Sequence, residues 1–407
     1  MALLLSWLSK DGKFLLAVRP LQTFSATFVS IFFAVYLSLL ELPLWMIGVI
    51  LTGGQLFSTA FNMAAGFVAD RVGRRRMLVF FGLLVAFSGV VFATVSTPMV
   101  LIPVAVISTL GSSGGFGPAN MLERVILAQS CPEDRRTRMY AIRSTLNSVA
   151  RSVGSLFVGA VVLIQGWFGL SHVTAYRWMF GVYAILNLVV VALYSLLSGE
   201  AEVGESRVEP PPLSPETKGN VLKLSLLFSL DSLGSGFIPS SLVSYWFFDR
   251  FGLDMDTIAL IFSGSSLLAA LSFMLAARIS ERIGLINTMV YSHLPSNLMT
   301  MSIPYMPSLA ASSAVYMGRS LLSQMDVPTR QSYVMAIVKP EERSRVAGLI
   351  NLPRSLTSAI GPTIAGFVMQ FMGSSLPFLF AGGLKAVYDL ALYFNFRDVK
   401  PPEEQVE

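Results

Sequence analysis

Long apolar runs separated by short polar turns dominate the chain. A bilayer core of about 30 Å needs roughly 20 apolar residues per helix, and runs of about that length recur from residue 14 to residue 396. Because backbone polar groups in lipid must be hydrogen-bonded internally, the runs predict membrane-spanning helices. We place twelve, near 14–38, 45–69, 77–96, 98–129, 138–165, 176–198, 221–248, 255–279, 285–306, 308–338, 344–372 and 375–396.

One hydrophilic segment interrupts this pattern near the middle of the chain. Residues 198–220 carry five glutamates and the run Pro210-Pro211-Pro212, a composition typical of a flexible linker. We therefore expect an N-terminal six-helix bundle over residues 1–197, a cytoplasmic linker over 198–220 and a C-terminal six-helix bundle over 221–407.

The two halves repeat each other. The segment 132–135, Pro-Glu-Asp-Arg, returns as Pro-Glu-Glu-Arg at 340–343, and Gly154 matches Gly361. Because each half holds an even number of spans in the same orientation, the repeats are parallel and related by an axis along the membrane normal.

A strongly basic turn lies between the second and third predicted spans. Residues 66–76 read Gly-Phe-Val-Ala-Asp-Arg-Val-Gly-Arg-Arg-Arg, and a weaker copy without the triple arginine occupies 277–284. Clustered arginines mark the side of the membrane on which Lys and Arg accumulate. The positions that define the pattern are Gly66, Asp70, Arg71, Gly73, Arg74 and Arg75.

This turn resembles the signature turn of the major facilitator superfamily, G-x-x-x-D-R-x-G-R-R-R. The resemblance implies an all-α integral membrane protein with twelve transmembrane helices in two parallel-repeat six-helix bundles. It also implies that a small-molecule solute binds between the halves and is moved by alternating access. The basic turn would then act as a cytoplasmic gate.

Composition and charge exclude several other classes. Hydrophobic residues make up 54% and charged residues 13%, and the net charge of +5 is spread over short turns, which does not suit nucleic acid. The two histidines are far apart, so we expect neither a metal nor a cofactor, and without a nucleophile or ATP-binding motif we expect no enzyme. The distribution of Lys and Arg predicts that both termini are cytoplasmic. We also expect a multi-pass plasma-membrane protein that is monomeric.

Four acidic residues fall deep within predicted spans: Glu123, Asp231, Asp326 and Asp389. A charge at that depth costs about 2.5–3.5 kcal/mol, so it usually faces a cavity or a partner. The resemblance places the first three on cavity helices. Asp231, about 15 Å from the cytoplasmic end of its helix, is the leading candidate for proton uptake, with a permanent ion pair as the alternative. Glu123 serves either a gate or a structural contact, and Asp389 is expected to neutralise Lys385, four residues earlier.

Span 10 carries three charges on roughly one face. Arg330 can pair with Asp326 four residues earlier. Arg319 is left to face either an anionic group of a substrate or an acid such as Asp231. In span 1, Gln22 is expected to line the cavity.

We therefore expect a secondary transporter that couples the efflux of a small organic solute to protons or another cation. Uptake of a sugar, an organic anion or another metabolite is the alternative within the same class. A membrane sensor or receptor that keeps the fold without transport is the alternative from another class.

Overall fold

The computed structural model describes residues 7–111, 117–132, 135–198 and 213–399, and their regular structure is helical. The helices are α1 (Lys10–Leu39), α2 (Leu44–Val72), α3 (Arg74–Thr94), α4 (Pro98–Ser108), α5 (Gly117–Gln129), α6 (Arg136–Phe157), α7 (Ala160–Phe168), α8 (His172–Ser195), α9 (Pro215–Phe237), α10 (Ser240–Phe251), α11 (Met255–Ile283), α12 (Leu285–Ser302), α13 (Leu309–Ser323), α14 (Asp326–Ala336), α15 (Arg343–Phe371) and α16 (Leu376–Phe396). Helices occupy each of the twelve predicted ranges.

Eight helical segments of the described chain are long and apolar enough to cross a bilayer. They are Lys10–Leu39, Leu44–Ala64, Arg74–Thr94, Ile142–Phe168, His172–Ser195, Thr217–Phe251, Met255–Ile283 and Leu376–Phe396. The other four predicted ranges hold α4 with α5, α12, α13 with α14, and α15. These helices carry more polar residues or are interrupted, which lowers their hydropathy.

Several spans are broken where the sequence contains proline. The α9 helix ends at Phe237 and α10 begins at Ser240, so the break includes Pro239. In span 10, α13 ends at Ser323 and α14 begins at Asp326, just before Pro328. Proline lacks the backbone N–H and clashes with the preceding turn, so it is placed at or near the start of a new helix.

Contacts divide the chain into two compact units. The first contains Met1–Ser206 with Ser240–Ser263, and the second contains Arg207–Pro239 with Gly264–Glu407. Residues 199–212 of the predicted linker lie outside the described residues. The α9 helix already begins at Pro215, and the side chain of Ser214 accepts a hydrogen bond from the backbone N–H of Thr217 as its N-cap.

In the first unit, α1 packs against α6, and α3 packs against α8. A β-carbon at Gly154 of α6 would lie 2.7 Å from the carbonyl oxygen of Phe24 in α1, so only glycine permits this approach. The core includes Leu15, Leu78 and Leu127, each with no exposed surface.

The second unit repeats this packing with the equivalent helices. Here α9 packs against α15, and α12 packs against α16. Gly361 of α15, which matches Gly154 in the sequence repeat, contacts the backbone of Gly236 in α9. Gly73 and Gly284, which precede α3 and α12, both have positive φ angles, of 100° and 84°. The internal repeat is therefore present in the backbone as well as in the sequence.

Candidate functional site

Two clusters of buried charged and polar side chains lie in the described residues, one inside each unit. The first, which we name the Glu123 cluster, comprises Arg19, Gln22, Asn120, Glu123, Arg143 and Tyr194. The second, which we name the Asp231 cluster, comprises Asp231, His293, Asp326, Arg330, Arg354, Lys385 and Asp389.

Glu123 is the centre of the first cluster and has no exposed surface. Its Oε2 lies 3.3 Å from Nη2 of Arg143 and 3.7 Å from Nη1 of Arg19. The hydroxyl of Tyr194 donates a hydrogen bond to Oε1. The Nε atoms of both arginines are buried without a hydrogen-bond partner. One carboxylate thus faces two guanidinium groups, and the cluster carries a positive excess.

Neutral side chains extend this network across four helices. Nη1 of Arg19 donates to Oε1 of Gln22 at 3.2 Å, and Nε2 of Gln22 donates to the hydroxyl of Tyr194 at 2.6 Å. Nη2 of Arg143 also donates to Oδ1 of Asn120 at 2.6 Å. The network joins α1, α5, α6 and α8, so it holds the interior of the first unit together.

A small cavity borders the Glu123 cluster inside the first unit. Its polar lining includes Gln22, Ser25, Tyr183 and Asn187, and it is large enough for a water molecule. This cavity lies within the first unit, so the expectation that Gln22 lines the cavity in which the solute binds stays a prediction.

Asp231 is buried between cations of three helices in the second unit. Its Oδ2 lies 3.0 Å from Nη1 of Arg330, and its Oδ1 lies 3.5 Å from Nζ of Lys385. The same Nη1 of Arg330 lies 2.9 Å from Oδ2 of Asp326, which confirms the predicted pair one helical turn apart. Arg330 therefore bridges two carboxylates.

Asp389 makes different contacts from those expected. Its Oδ1 lies 2.8 Å from Nδ1 of His293, and its Oδ2 accepts a hydrogen bond from Nδ2 of Asn297 at 2.7 Å. The prediction that Lys385 and Asp389 neutralise each other is wrong, because Lys385 reaches across to Asp231 instead. The spacing of four residues allowed the local pair, but the neighbouring helices offered closer partners.

Arg354 of α15 borders the same cluster. Its Nε donates to the hydroxyl of Ser232 at 3.2 Å, and its guanidinium carbon lies 5.9 Å from the ring centroid of Phe228. Arg330 lies over the same ring at 5.3 Å. The aromatic face adds favourable electrostatics for two buried cations that lie close to each other.

The formal charges of the Asp231 cluster balance when the imidazole is neutral. Three carboxylates stand against three permanent cations, and protonation of His293 gives an excess of one positive charge. A buried cluster of this kind is costly unless its members are paired and hydrogen-bonded. Its net charge depends on one titratable ring.

Arg319 lies outside both clusters. Its Nη1 donates to Oγ1 of Thr300 at 3.1 Å, and its guanidinium carbon lies 5.1 Å from the ring centroid of Tyr316. Its Nε is buried and has no hydrogen-bond partner. Among the carboxylates that the structure describes, none lies within salt-bridge distance of Arg319, so Asp231 is not its partner.

The basic turn joins helix ends within the first unit. Arg74 is 7% exposed, and its Nη1 donates to Oε1 of Gln129 at the end of α5 at 2.6 Å. Arg75 donates to the carbonyl oxygen of Ser195 at the end of α8, where a cation interacts favourably with the helix dipole.

Other residues of the turn are described less fully. Gly73 takes the positive φ that separates α2 from α3, and Arg71 lies in the last turn of α2 and is exposed. The backbones of Gly66 and Asp70 lie in α2, but the side-chain surroundings of these two residues lie outside what the structure describes.

The structure thus brings together most of the predicted site residues, but in two separate groups. Asp231, Asp326 and Arg330 share the second cluster, whereas Glu123 and Gln22 belong to the first. Sequence reasoning missed His293, Lys385, Arg354, Asn297 and Tyr194 as members. One signal was available: a lone histidine in a predicted span is costly to bury and implies a polar partner.

Comparison with known proteins decides the family. The model of the Major Facilitator Superfamily matches in two overlapping segments, residues 18–323 and 224–407. The chain belongs to the Major Facilitator Superfamily. It is therefore a multi-pass integral membrane protein with the all-α fold of this superfamily, a fold of transporters rather than enzymes.

Relatives and solved structures agree with this assignment. An uncharacterized membrane protein of Saccharomyces cerevisiae, YJR124C, is 25% identical over 365 residues, which cover 81% of this chain and 82% of the relative. A Na⁺, Li⁺, K⁺/H⁺ antiporter of Planococcus maritimus is 33% identical over 147 residues, 35% of this chain and 32% of the antiporter.

Two solved structures share the fold at low sequence identity. The nucleoside transporter NupG is 15% identical with a TM-score of 0.69, covering 95% of this chain and 100% of that one. A D-xylose–proton symporter is 16% identical with a TM-score of 0.70, covering 94% and 96%.

Proposed function

We propose that this protein is a proton-coupled secondary transporter that exports a small organic solute across the plasma membrane by alternating access. The observation that carries the proposal is the Asp231 cluster, in which buried carboxylates, permanent cations and one imidazole lie within hydrogen-bond or salt-bridge reach of one another. Buried ionisable residues in transporters typically mark ion pathways and proton relays. In this proposal Asp231 and its partners couple the proton to the solute.

The balance of charges in the cluster supports coupling. Removing or adding one proton changes the net charge of a buried site, which changes the free energy of each conformation by a different amount. Arg330 contacts both Asp231 and Asp326, so a change in the charge of one carboxylate also affects the contact that Arg330 makes with the other. The partial match to a cation/proton antiporter is consistent with a proton as one of the coupled ions.

The basic turn supports a gate on the side of the membrane that it faces. Arg74 and Arg75 tie the start of α3 to the ends of α5 and α8, so a change at either arginine alters contacts among three helices. We assign this side to the cytoplasm, with both termini there. Cysteine labelling tests the orientation, since a cysteine introduced within 199–212 should react only from the cytoplasm.

The experiment has two stages because the solute is unidentified. Purified protein is first screened by thermal shift against organic cations, including ethidium, and against neutral and anionic metabolites; a ligand at 100 times its Kd stabilises by about 2.7 kcal/mol. Compounds that stabilise the protein are then tested in proteoliposomes loaded with the pH dye pyranine. We expect solute flux to move protons and an imposed pH gradient to drive solute uphill.

The Asp231→Asn variant is the decisive change in that assay. It should abolish gradient-driven accumulation while exchange of solute for solute persists. Asp249→Asn is the control, because Asp249 is an exposed acid of α10, one residue beyond the end of the same predicted span. Unchanged pH dependence of transport in Asp231→Asn would remove Asp231 from coupling.

A second candidate function, transport of an organic anion, is favoured by Arg319, which has no described carboxylate within salt-bridge distance. In the other unit, Arg19 and Arg143 share the single carboxylate of Glu123. A solute carboxylate or phosphate would complete such a site, since guanidinium groups bind these anions in bidentate fashion. Anions should then dominate the stabilising compounds, and Arg319→Gln should remove their effect while leaving the Tm of the free protein within about 2 °C of wild type.

A further inference from the structure

His293 lies between two acids that belong to other helices. Its ring is 3% exposed and lies on α12, two residues before Pro295. Nδ1 lies 2.8 Å from Oδ1 of Asp389, and Nε2 lies 3.9 Å from Oδ1 of Asp231. The two ring nitrogens therefore point to carboxylates on two different helices, α16 and α9.

The contact between His293 and Asp389 requires a shared proton. Nδ2 of Asn297 lies 3.2 Å from Nδ1 of His293 and 2.7 Å from Oδ2 of Asp389. If Nδ1 accepts from Asn297, Asp389 must hold the proton of the 2.8 Å contact. If Nδ1 carries the proton, it donates to Asp389 and Asn297 serves the other carboxylate oxygen. The two arrangements differ only by the transfer of one proton along this hydrogen bond.

The other carboxylates of the cluster are compensated by permanent cations. Asp231 lies between Arg330 and Lys385, and Asp326 contacts Arg330 at 2.9 Å. Arginine does not lose its proton in proteins. Asp389 differs from these two acids, because its polar partners among the described residues are His293 and Asn297 rather than an arginine or a lysine.

On the side of His293 that faces Asp231, Oδ1 of that carboxylate is buried and accepts no hydrogen bond from the described residues, although Nζ of Lys385 lies 3.5 Å from it. The separation of 3.9 Å from Nε2 is about 1 Å too long for a hydrogen bond, so a small movement of α9 relative to α12 makes or breaks the contact. An imidazole can accept a proton at one nitrogen and release another at its second nitrogen, so it can transfer a proton between two acids while the ring stays in place.

Every helix packed against α12 in the second unit contributes to the field at this ring. Besides the acids already named, α14 presents Asp326 and Arg330, α16 presents Lys385 and Tyr388, and α13 presents Arg319. The ring of Tyr388 lies 6.0 Å from that of His293. Positive and negative side chains on these helices offset each other, so removing any one of these charges alters the protonation of His293.

We propose that the His293–Asp389 pair takes up and releases the coupling proton of this transporter, and that Asp231 exchanges that proton with Asp389 through the imidazole. In one direction, a proton from Asp231 binds at Nε2 while the proton on Nδ1 moves to Oδ1 of Asp389. In the other direction, Asp389 returns a proton to Nδ1 while Nε2 releases one to Asp231. The ring is neutral before and after each transfer. This exchange with Asp231 takes place only when the contact between Nε2 of His293 and Oδ1 of Asp231 is closed. This assignment rests on the proton-coupled function proposed above.

The chain offers a direct spectroscopic test because it contains only two histidines. In a His172→Gln background, ¹⁵N-histidine labelling leaves His293 as the single labelled ring. His172 is exposed, with its ring nitrogen 3.1 Å from Gln165, so its replacement should leave transport unchanged. We expect the ¹⁵N shifts of His293 to change with pH between 5 and 9 and to change again in Asp389→Asn. A ring that keeps one protonation state throughout this range in both proteins would overturn the proposal.

Transport measurements separate failure of this proposal from failure of the proposed function. In proteoliposomes, using a compound identified by the thermal-shift screen, His293→Gln and Asp389→Asn should each lower proton movement per solute at least tenfold while solute exchange continues. His172→Gln should retain wild-type coupling. If wild type itself moves no protons with solute, the proposed function fails. If wild type couples and His293→Gln couples equally well, only the assignment to His293 fails.

Discussion

The contacts of Arg330 predict a large and specific loss of stability when its charge is removed. In Arg330→Gln the side chain keeps most of its length but loses the guanidinium that lies 3.0 Å from Asp231 and 2.9 Å from Asp326. With neutral His293, the formal charge of the cluster falls from zero to −1. The two acids then face each other across a site with one cation fewer.

The magnitude follows from the geometry. At an effective dielectric constant of 20, each contact near 3 Å corresponds to about 5 kcal/mol of Coulomb energy. The desolvation of each buried ion offsets several kcal/mol of this, and removing one partner of a buried pair costs about 3–5 kcal/mol in practice. For a cooperative unit of 150–250 residues, about 2–4 °C of Tm corresponds to 1 kcal/mol, so the apparent Tm should fall by at least about 6 °C.

A double variant tests whether the loss of stability arises from the unbalanced charge. In Asp326→Asn/Arg330→Gln one acid and one base are removed together, and the formal sum of the cluster returns to zero. We expect this double variant to lose less stability than the sum of the two single variants, with a coupling of about 0.5–3 kcal/mol.

The assay is thermal unfolding of purified protein in one detergent at a fixed heating rate, because unfolding of such proteins is often irreversible. Arg397→Gln is the control, since Arg397 pairs with Asp398 on the surface at 3.5 Å and is 50% exposed; that pair contributes about 0–1 kcal/mol. A Tm for Arg330→Gln as close to wild type as the control, or additive losses in the double variant, would refute the argument.

Three further changes test other features. Gly361→Ala would bring a methyl group against the backbone of Gly236 and should cost about 1–3 kcal/mol, whereas Gly348→Ala in the same helix meets no atom within 4 Å and should not lower the Tm. Hydrogen bonds from Ser214 and Thr217 hold the pKa of Glu342 below its usual 4.5, so the stability lost in Glu342→Gln should be constant above about pH 5 and shrink as pH falls below 4.5. Asp70→Asn should slow turnover in proteoliposomes while the thermal shift with ligand persists; a normal turnover rate would contradict the gate role.

Features that depend on nearby residues could be predicted from the sequence. Apolar run lengths located the spans, and the spacing of Asp326 and Arg330 gave their pair, because residues four apart meet on one face of a helix. Gly154 and Gly361 marked the repeat, and the structure gives the reason: each permits a close helix–helix approach.

Partners across helices could not be predicted in the same way. Asp231 and Arg330 are 99 positions apart, and His293 and Asp389 are 96 apart. Helical periodicity does not fix which faces of distant helices meet. The rule that deep charges need partners predicted that Asp389 would be neutralised, but it assigned the nearest cation in sequence, Lys385, instead of the neighbour in space.

The two clusters differ in their balance of charge, and this difference is the reason for proposing proton coupling at the second of them. Glu123 faces two arginines, which keep their protons, so the Glu123 cluster has a positive excess whether or not Glu123 is ionised. The Asp231 cluster instead holds as many carboxylates as arginine and lysine side chains, together with one imidazole, so the protonation of that ring decides its net charge. In the proton-coupled function proposed above, the second cluster rather than the first is therefore the part of the duplicated fold that responds to a proton gradient.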